Sequence, residues 1–162
     1  MNFRCALFAP LALTLLLLGM PASSSALTPP FEVQASKSAD GPYTADGQNA
    51  TIRPGKTKLF YWRVESGSPN NQSMTFDDAA TDSNAGYVIK WYKGKRPKAS
   101  KNITSQIDSG YPFTLRGDQT RFFTAKVRAQ QDPETLCLGG QATNTALPYS
   151  DSAYFSINGI CT

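Results

Sequence analysis

Leu59-Phe60-Tyr61-Trp62-Arg63-Val64-Glu65 places Phe60, Trp62 and Val64 at alternate positions, with Arg63 and Glu65 out of phase with them. Successive side chains of an extended chain point to opposite faces, so this spacing predicts a strand with one buried face. Its aromatic and β-branched content suits the same state. Tyr87-Val88-Ile89-Lys90-Trp91-Tyr92 repeats the pattern with Tyr87, Ile89 and Trp91 inward, and Phe123-Thr124-Ala125-Lys126-Val127 with Phe123, Ala125 and Val127 inward. Further strands are expected at Phe31 to Ala35, Ile103 to Ile107, Thr135 to Leu138 and Ala153 to Ile157. Turn-forming clusters such as Ser66-Gly67-Ser68-Pro69-Asn70-Asn71 and Asp108-Ser109-Gly110 separate them. No stretch sustains a helical apolar period over three turns. The expected fold is all-β, an immunoglobulin-like antiparallel β-sandwich of about seven strands.

The decisive stretch has an internal echo. Residues 51 to 64 align without gaps on residues 114 to 127, each copy running from an apolar residue through a tight turn into a long amphipathic strand. The two copies are expected to be equivalent units in the two sheets of the sandwich.

The chain opens on Met1-Asn2-Phe3-Arg4, continues through an apolar run to Leu18 and exits through Pro21-Ala22-Ser23-Ser24-Ser25-Ala26. A charged start, a short apolar core and small residues at the exit define an export signal over residues 1–26. Residues 27–162 are then one domain, with no membrane span after signal cleavage. That domain holds Cys137 and Cys161, and an exported chain forms disulfides, so the two are expected to pair. A terminal hairpin centred on Tyr149 would set them opposite each other, with a bulge at Gly139-Gly140 correcting the phase of Cys137.

Arg53-Pro54-Gly55 before Tyr61-Trp62-Arg63-Val64 is similar to the Pro-Gly turn and strand of CARDB-like immunoglobulin-like domains of bacterial and archaeal surface and secreted proteins. Gly86 to Gly94, Asn102-Ile103-Thr104-Ser105, Gly110-Tyr111 and Leu115-Arg116-Gly117 extend the resemblance over roughly residues 43 to 130. It implies a β-sandwich and no catalytic motif. Such domains usually recur as repeats, whereas this one stands alone with an added disulfide.

The 162 residues contain no histidine, which removes Ser-His-Asp triads, Cys-His pairs and His-ligated zinc. Paired cysteines cannot act as nucleophile or thiolate ligand. Acidic residues are few and lie mostly in turns, so no catalytic residue, no cofactor and no metal site is assigned and the chain is not read as an enzyme. Gly55-Lys56-Thr57 lacks the first glycine of a phosphate loop, because position 50 is Ala50. Asp77-Asp78 and Asp82-Ser83-Asn84-Ala85-Gly86 form the densest oxygen-ligand cluster, read as a solvated loop rather than a calcium site. Arg116-Gly117-Asp118 spells an adhesion tripeptide on an expected turn, and Asn49, Asn71 and Asn102 begin glycosylation sequons.

Lys90-Trp91-Tyr92-Lys93-Gly94-Lys95-Arg96-Pro97-Lys98-Ala99-Ser100-Lys101 is the strongest local anomaly, with six cations in twelve residues. Tyr92, Lys93, Lys95, Arg96, Lys98 and Lys101 are the candidate binding residues, Tyr92 facing outward as a stacking platform on a basic hairpin. Without Arg4, 15 basic side chains face 12 acidic ones, too small a surplus for an obligate nucleic-acid binder. The expected function is that of a secreted, extracellular or periplasmic domain making protein or cell-envelope contacts. The alternative is a module binding carbohydrate or anionic polysaccharide through the basic hairpin.

Overall fold

A computed structural model describes residues 29–79, 86–131 and 133–161. The leader expected at residues 1–26 and the Asp82 to Ala85 part of the acidic loop lie outside these. Nine strands form two sheets packed face to face. One contains β1 (Phe31–Ser36), β3 (Thr57–Ser66), β7 (Thr120–Ala129) and β5 (Tyr87–Lys93), in the order β1-β3-β7-β5. The other contains β2 (Gln48–Ala50), β9 (Ser150–Ile157), β8 (Leu136–Asn144), β4 (Gln72–Asp77) and β6 (Tyr111–Leu115), in the order β2-β9-β8-β4-β6. Every pairing is antiparallel except β2 with β9. The chain is an immunoglobulin-like β-sandwich with one disulfide, and among the described residues it has nine strands where about seven were expected.

Alternation delivers the core. Phe60, Trp62 and Val64 of β3, Trp91 of β5 and Phe123, Ala125 and Val127 of β7 are all buried, facing Phe76 of β4, Leu136 and Leu138 of β8 and Phe155 of β9. Phe76 and Phe123 stack across the sheets with ring centroids 3.8 Å apart. The Trp62 ring lies 4.8 Å from Trp91 and 5.2 Å from Phe155, and its indole N–H donates to the Ala153 carbonyl at 2.8 Å. A β-carbon on Gly140 would stand 2.7 Å from Trp62 Nε1 and 2.7 Å from Phe76, so glycine makes the room the indole occupies.

Ile103 to Ile107 is not a strand: Thr104–Ile107 forms a single helical turn, α1, which sets Ile103 and Ile107 four residues apart on one side, both buried. The echoed segments do not sit in different sheets. β3 and β7 are direct antiparallel neighbours, Trp62 opposite Phe123. Their turns are nevertheless alike, with Lys56 N–H donating to Arg53 O at 3.0 Å and Gln119 N–H to Arg116 O at 3.2 Å. The equivalent residues Gly55 and Asp118 both adopt positive φ, 72° and 57°.

The terminal hairpin departs from its expected register. Thr143 pairs with Ser150 and Leu136 with Ile157, so the hairpin is centred between Ala146 and Leu147. Cys137 stands opposite Ser156 and not opposite Cys161. The register runs unbroken through Gly139 and Gly140, without a bulge. The disulfide forms because the chain reverses after β9 at Asn158, where φ is 58°, and returns Cys161 to the outer side of β8 with its Cα 5.6 Å from that of Cys137. Asn158 holds this reversal against Ile52, its amide donating to the Ile52 carbonyl at 3.0 Å and its carbonyl accepting the Ile52 N–H at 2.9 Å.

Two substitutions test the packing. Trp62→Ala is expected to cost about 3 to 5 kcal/mol, because removing a fully buried indole leaves a cavity and takes its hydrogen bond to Ala153 with it. Gly140→Ala is expected to cost about 1 to 3 kcal/mol by overpacking the same place. Denaturant unfolding measures both, and near-neutral values would contradict the assigned interior.

Candidate functional site

The basic run does not form a two-stranded hairpin. β5 ends at Lys93, and Gly94 takes a φ of 87°, donates its N–H to the Phe122 carbonyl at 2.6 Å and accepts the Thr124 hydroxyl at 2.7 Å. The chain then loops through Lys95 to Lys98, makes a 3₁₀ turn at Ala99–Lys101 and returns along the edge of β5. There Ile103 N–H donates to the Trp91 carbonyl at 2.9 Å, and Trp91 N–H donates to Thr104 Oγ1 at 2.8 Å. Tyr92 points away from Trp91, as its phase requires. It is only 8% exposed and bridges to Asn102, so it does not offer the stacking face expected of it.

The candidate cations separate by position. Arg96 and Lys98 are exposed. Lys95 bends onto the outer side of the four-stranded sheet, its Nζ 4.5 Å above the Phe122 ring and 3.4 Å from Asp40 Oδ1. There it joins a row of alternating cations and rings. Phe122 lies 5.9 Å from Tyr43, the Arg63 guanidinium sits 5.1 Å from the Tyr43 ring, and Arg63 bonds Gln34 and lies 3.2 Å from Glu65.

Lys93 and Lys101 turn the other way, into a groove of about 730 Å³ at the corner where β5 ends beside β6 and the start of β7. Arg116 and Arg121, from the turn between β6 and β7 and from β7 itself, complete its cationic lining. Half-buried Tyr111 and Phe113 supply rings, and Lys93 Nζ lies 5.9 Å from the Tyr111 centroid and 3.5 Å from its hydroxyl oxygen. Arg121 Nε donates to the Thr114 carbonyl at 3.3 Å. No carboxylate is among the described residues that line the groove. Four like charges around one concave surface raise the local potential and attract an anion.

Sequence reasoning missed Arg116 and Arg121 as members of this cluster. Arg116 was legible only as part of the Arg116-Gly117-Asp118 turn, and that turn has backbone causes. A β-carbon on Gly117 would fall 2.0 Å from the Pro69 carbonyl oxygen, and Asp118 holds the left-handed position. Gly55-Lys56-Thr57 is a turn leading into β3, with no helix after it. Asp77 ends β4, where burial raises its carboxyl pKa.

Fold and groove together define a class: a disulfide-linked, immunoglobulin-like sandwich with a basic, aromatic-lined groove at one corner. No protein-family model matches the chain, and no curated protein matches it. Among solved structures it is similar to a FixG-related protein from Vibrio parahaemolyticus, with 6% identity over 80% of this chain and 96% of that one and a TM-score of 0.47. It is similar to the N-terminal domain of PorA, with 9% identity over 79% and 98% and a TM-score of 0.49. A PapD-like domain of human CEP192 matches at 11% identity over 94% and 98%, with a TM-score of 0.45.

The cation and ring row gives a pH-dependent prediction. Burial pushes the Tyr43 phenol from 10.0 up to about 12, with Arg63 acting against it. A folded value above the unfolded one means that the fold keeps this contribution below about pH 10 and loses it as the pH climbs through 12. Tyr43→Phe is expected to remove the highest step of a tyrosinate absorbance titration and to move alkaline unfolding to higher pH. An unchanged titration would contradict the burial of the Tyr43 phenol.

Proposed function

We propose that this chain is exported and acts without catalysis, as an interaction domain that makes protein or cell-envelope contacts through the groove between β5, β6 and β7. The observation that carries the reading is the convergence of Lys93, Lys101, Arg116 and Arg121 on one surface with no carboxylate among the described residues that line it. Such a concentration of like charge strains the fold electrostatically and returns nothing to it unless a partner supplies the opposite sign. Export draws support from the leader-like residues 1–26 and from the disulfide. Among the described residues no helix is long and apolar enough to cross a membrane. The turn-and-strand pattern shared with CARDB-like surface domains agrees with a contact-making role.

A second reading, an anionic polysaccharide as ligand, is favoured by Tyr111, whose half-buried ring stands beside Lys93 as sugar-binding rings often stand beside a polar group. Nucleic acid fits less well, given the small overall surplus of charge.

Sedimentation of the protein with an envelope fraction of the cells that export it tests the first reading. The quadruple variant Lys93→Ser, Lys101→Ser, Arg116→Ser, Arg121→Ser is expected to keep the fold and lose most of the bound fraction. The wild type is expected to dissociate between about 50 and 300 mM salt, where screening of exposed charge becomes strong. Equal sedimentation of the two proteins would move the contact surface away from the groove.

A further inference from the structure

β6 hydrogen-bonds to β4 on one side and is the edge of its sheet on the other. Thr145 N–H donates to the Ser73 carbonyl at 3.0 Å, so the backbone groups of Ser73 face β8. Thr114 stands opposite Ser73 in the β4–β6 pairing, and the alternation of an antiparallel ladder turns its N–H and C=O outward. Pro112, two residues earlier, faces the same way and offers a carbonyl but no N–H. A second outward-turned position lies across the groove. Phe122 points its carbonyl to the β5 side, where Gly94 takes it, and Thr120 shares that phase beyond the end of β5. The groove therefore presents outward backbone groups on β6 and β7, between two lysines and two arginines.

Proline and a charged side chain on an edge strand are ordinary guards against unwanted strand pairing. Here the guard is selective. Arg121 occupies the Thr114 carbonyl through a single contact at 3.3 Å. A neutral strand would have to displace that guanidinium and offers it no charged partner in exchange. A strand bearing carboxylates gives Arg121 a better acceptor and frees the carbonyl for a backbone N–H.

Resting on the reading of the groove as the working surface, we propose that its ligand is an acidic, extended polypeptide segment that docks along β6 as an added strand. Carboxylates on one side of the segment meet Lys93, Lys101, Arg116 and Arg121. Its apolar residues, on the other side, stand opposite Pro112 and Thr114, where their N–H groups can meet the free edge. Pro112 confines backbone pairing to the Thr114 half of the strand.

The test uses the disulfide-bonded protein, labelled for amide NMR, and four probes. The first is a capped peptide of about nine residues alternating Val and Glu, long enough to overrun the five residues of β6. The second has Lys in place of Glu, the third has proline at its central Val, and the fourth is an oligogalacturonate of similar charge. The expected result is binding of the first peptide with shifts at the Thr114 and Thr120 amides and slowed exchange at Thr114. The proline peptide should bind about tenfold more weakly, the factor one lost interfacial hydrogen bond gives, and the Lys peptide should not bind. Arg121→Ser, on an exposed side chain, should weaken the acidic peptide while leaving the thermal transition in place.

Equal affinity for the proline peptide would overturn strand docking. Binding of oligogalacturonate without binding of the acidic peptide would overturn the polypeptide ligand and leave the groove reading standing. Failure of both anions to shift groove amides would overturn both.

Discussion

Trp62 filling the space left open by Gly140 is the contact on which the rest of the sandwich depends. The indole runs from β3 across the interior to β8 and β9, where its N–H ends on the Ala153 carbonyl. Burial of an aromatic of this size is among the largest single contributions a small core receives, and the buried hydrogen bond fixes its orientation. Trp91 and Phe155 pack against its faces, and the stacked Phe76 and Phe123 continue the layer toward β6. With β7 held over β4 in this way, the ends of β5 and β6 come together at one corner, and the groove is what remains between them.

The two edges at that corner are managed differently. The edge of β5 at Trp91 is closed by the returning chain, through Ile103 and Thr104. Among the described residues the edge of β6 is guarded by Pro112 and by the Arg121 contact. Among the described residues no ion pair holds Lys93, Lys101, Arg116 or Arg121. The basic residues around β6 are therefore dispensable to the core and available to a ligand, in contrast to Lys95, which is engaged with Phe122 and Asp40.

The strands read most plainly from sequence were those whose apolar residues alternate over five or more positions, β3, β5 and β7, because burial on one face imposes that period, and the expected strands at Phe31 to Ala35, Thr135 to Leu138 and Ala153 to Ile157 are β1 and parts of β8 and β9. β4, Gln72-Ser73-Met74-Thr75-Phe76-Asp77, shows only two apolar residues, since its third inward position is Gln72, bonded to Asn144 and to the Pro30 carbonyl. β6 carries Pro112, a residue that argues against a central strand and is tolerated at an edge. β2 is three residues long. Ile103 to Ile107 misled because two isoleucines four residues apart fit a short strand as well as one helical turn. The cysteine pairing was legible from compartment and count, whereas the route of the chain to it was not, since the reversal at Asn158 leaves no periodic signal. At the site, Lys93 and Lys101 stood out as a local run. Arg116 and Arg121 join them only through sheet pairing, which no local pattern encodes.

Hydrogen exchange at the Trp62 indole N–H tests the central claim, that one buried contact between the sheets holds the whole sandwich and with it the groove. If the account is right, this proton exchanges only through global unfolding, with the same free energy as the slowest amides of β3 and β7. Exchange at the rate of surface amides in a folded protein would show that the indole is not clamped between the sheets, and would contradict the account.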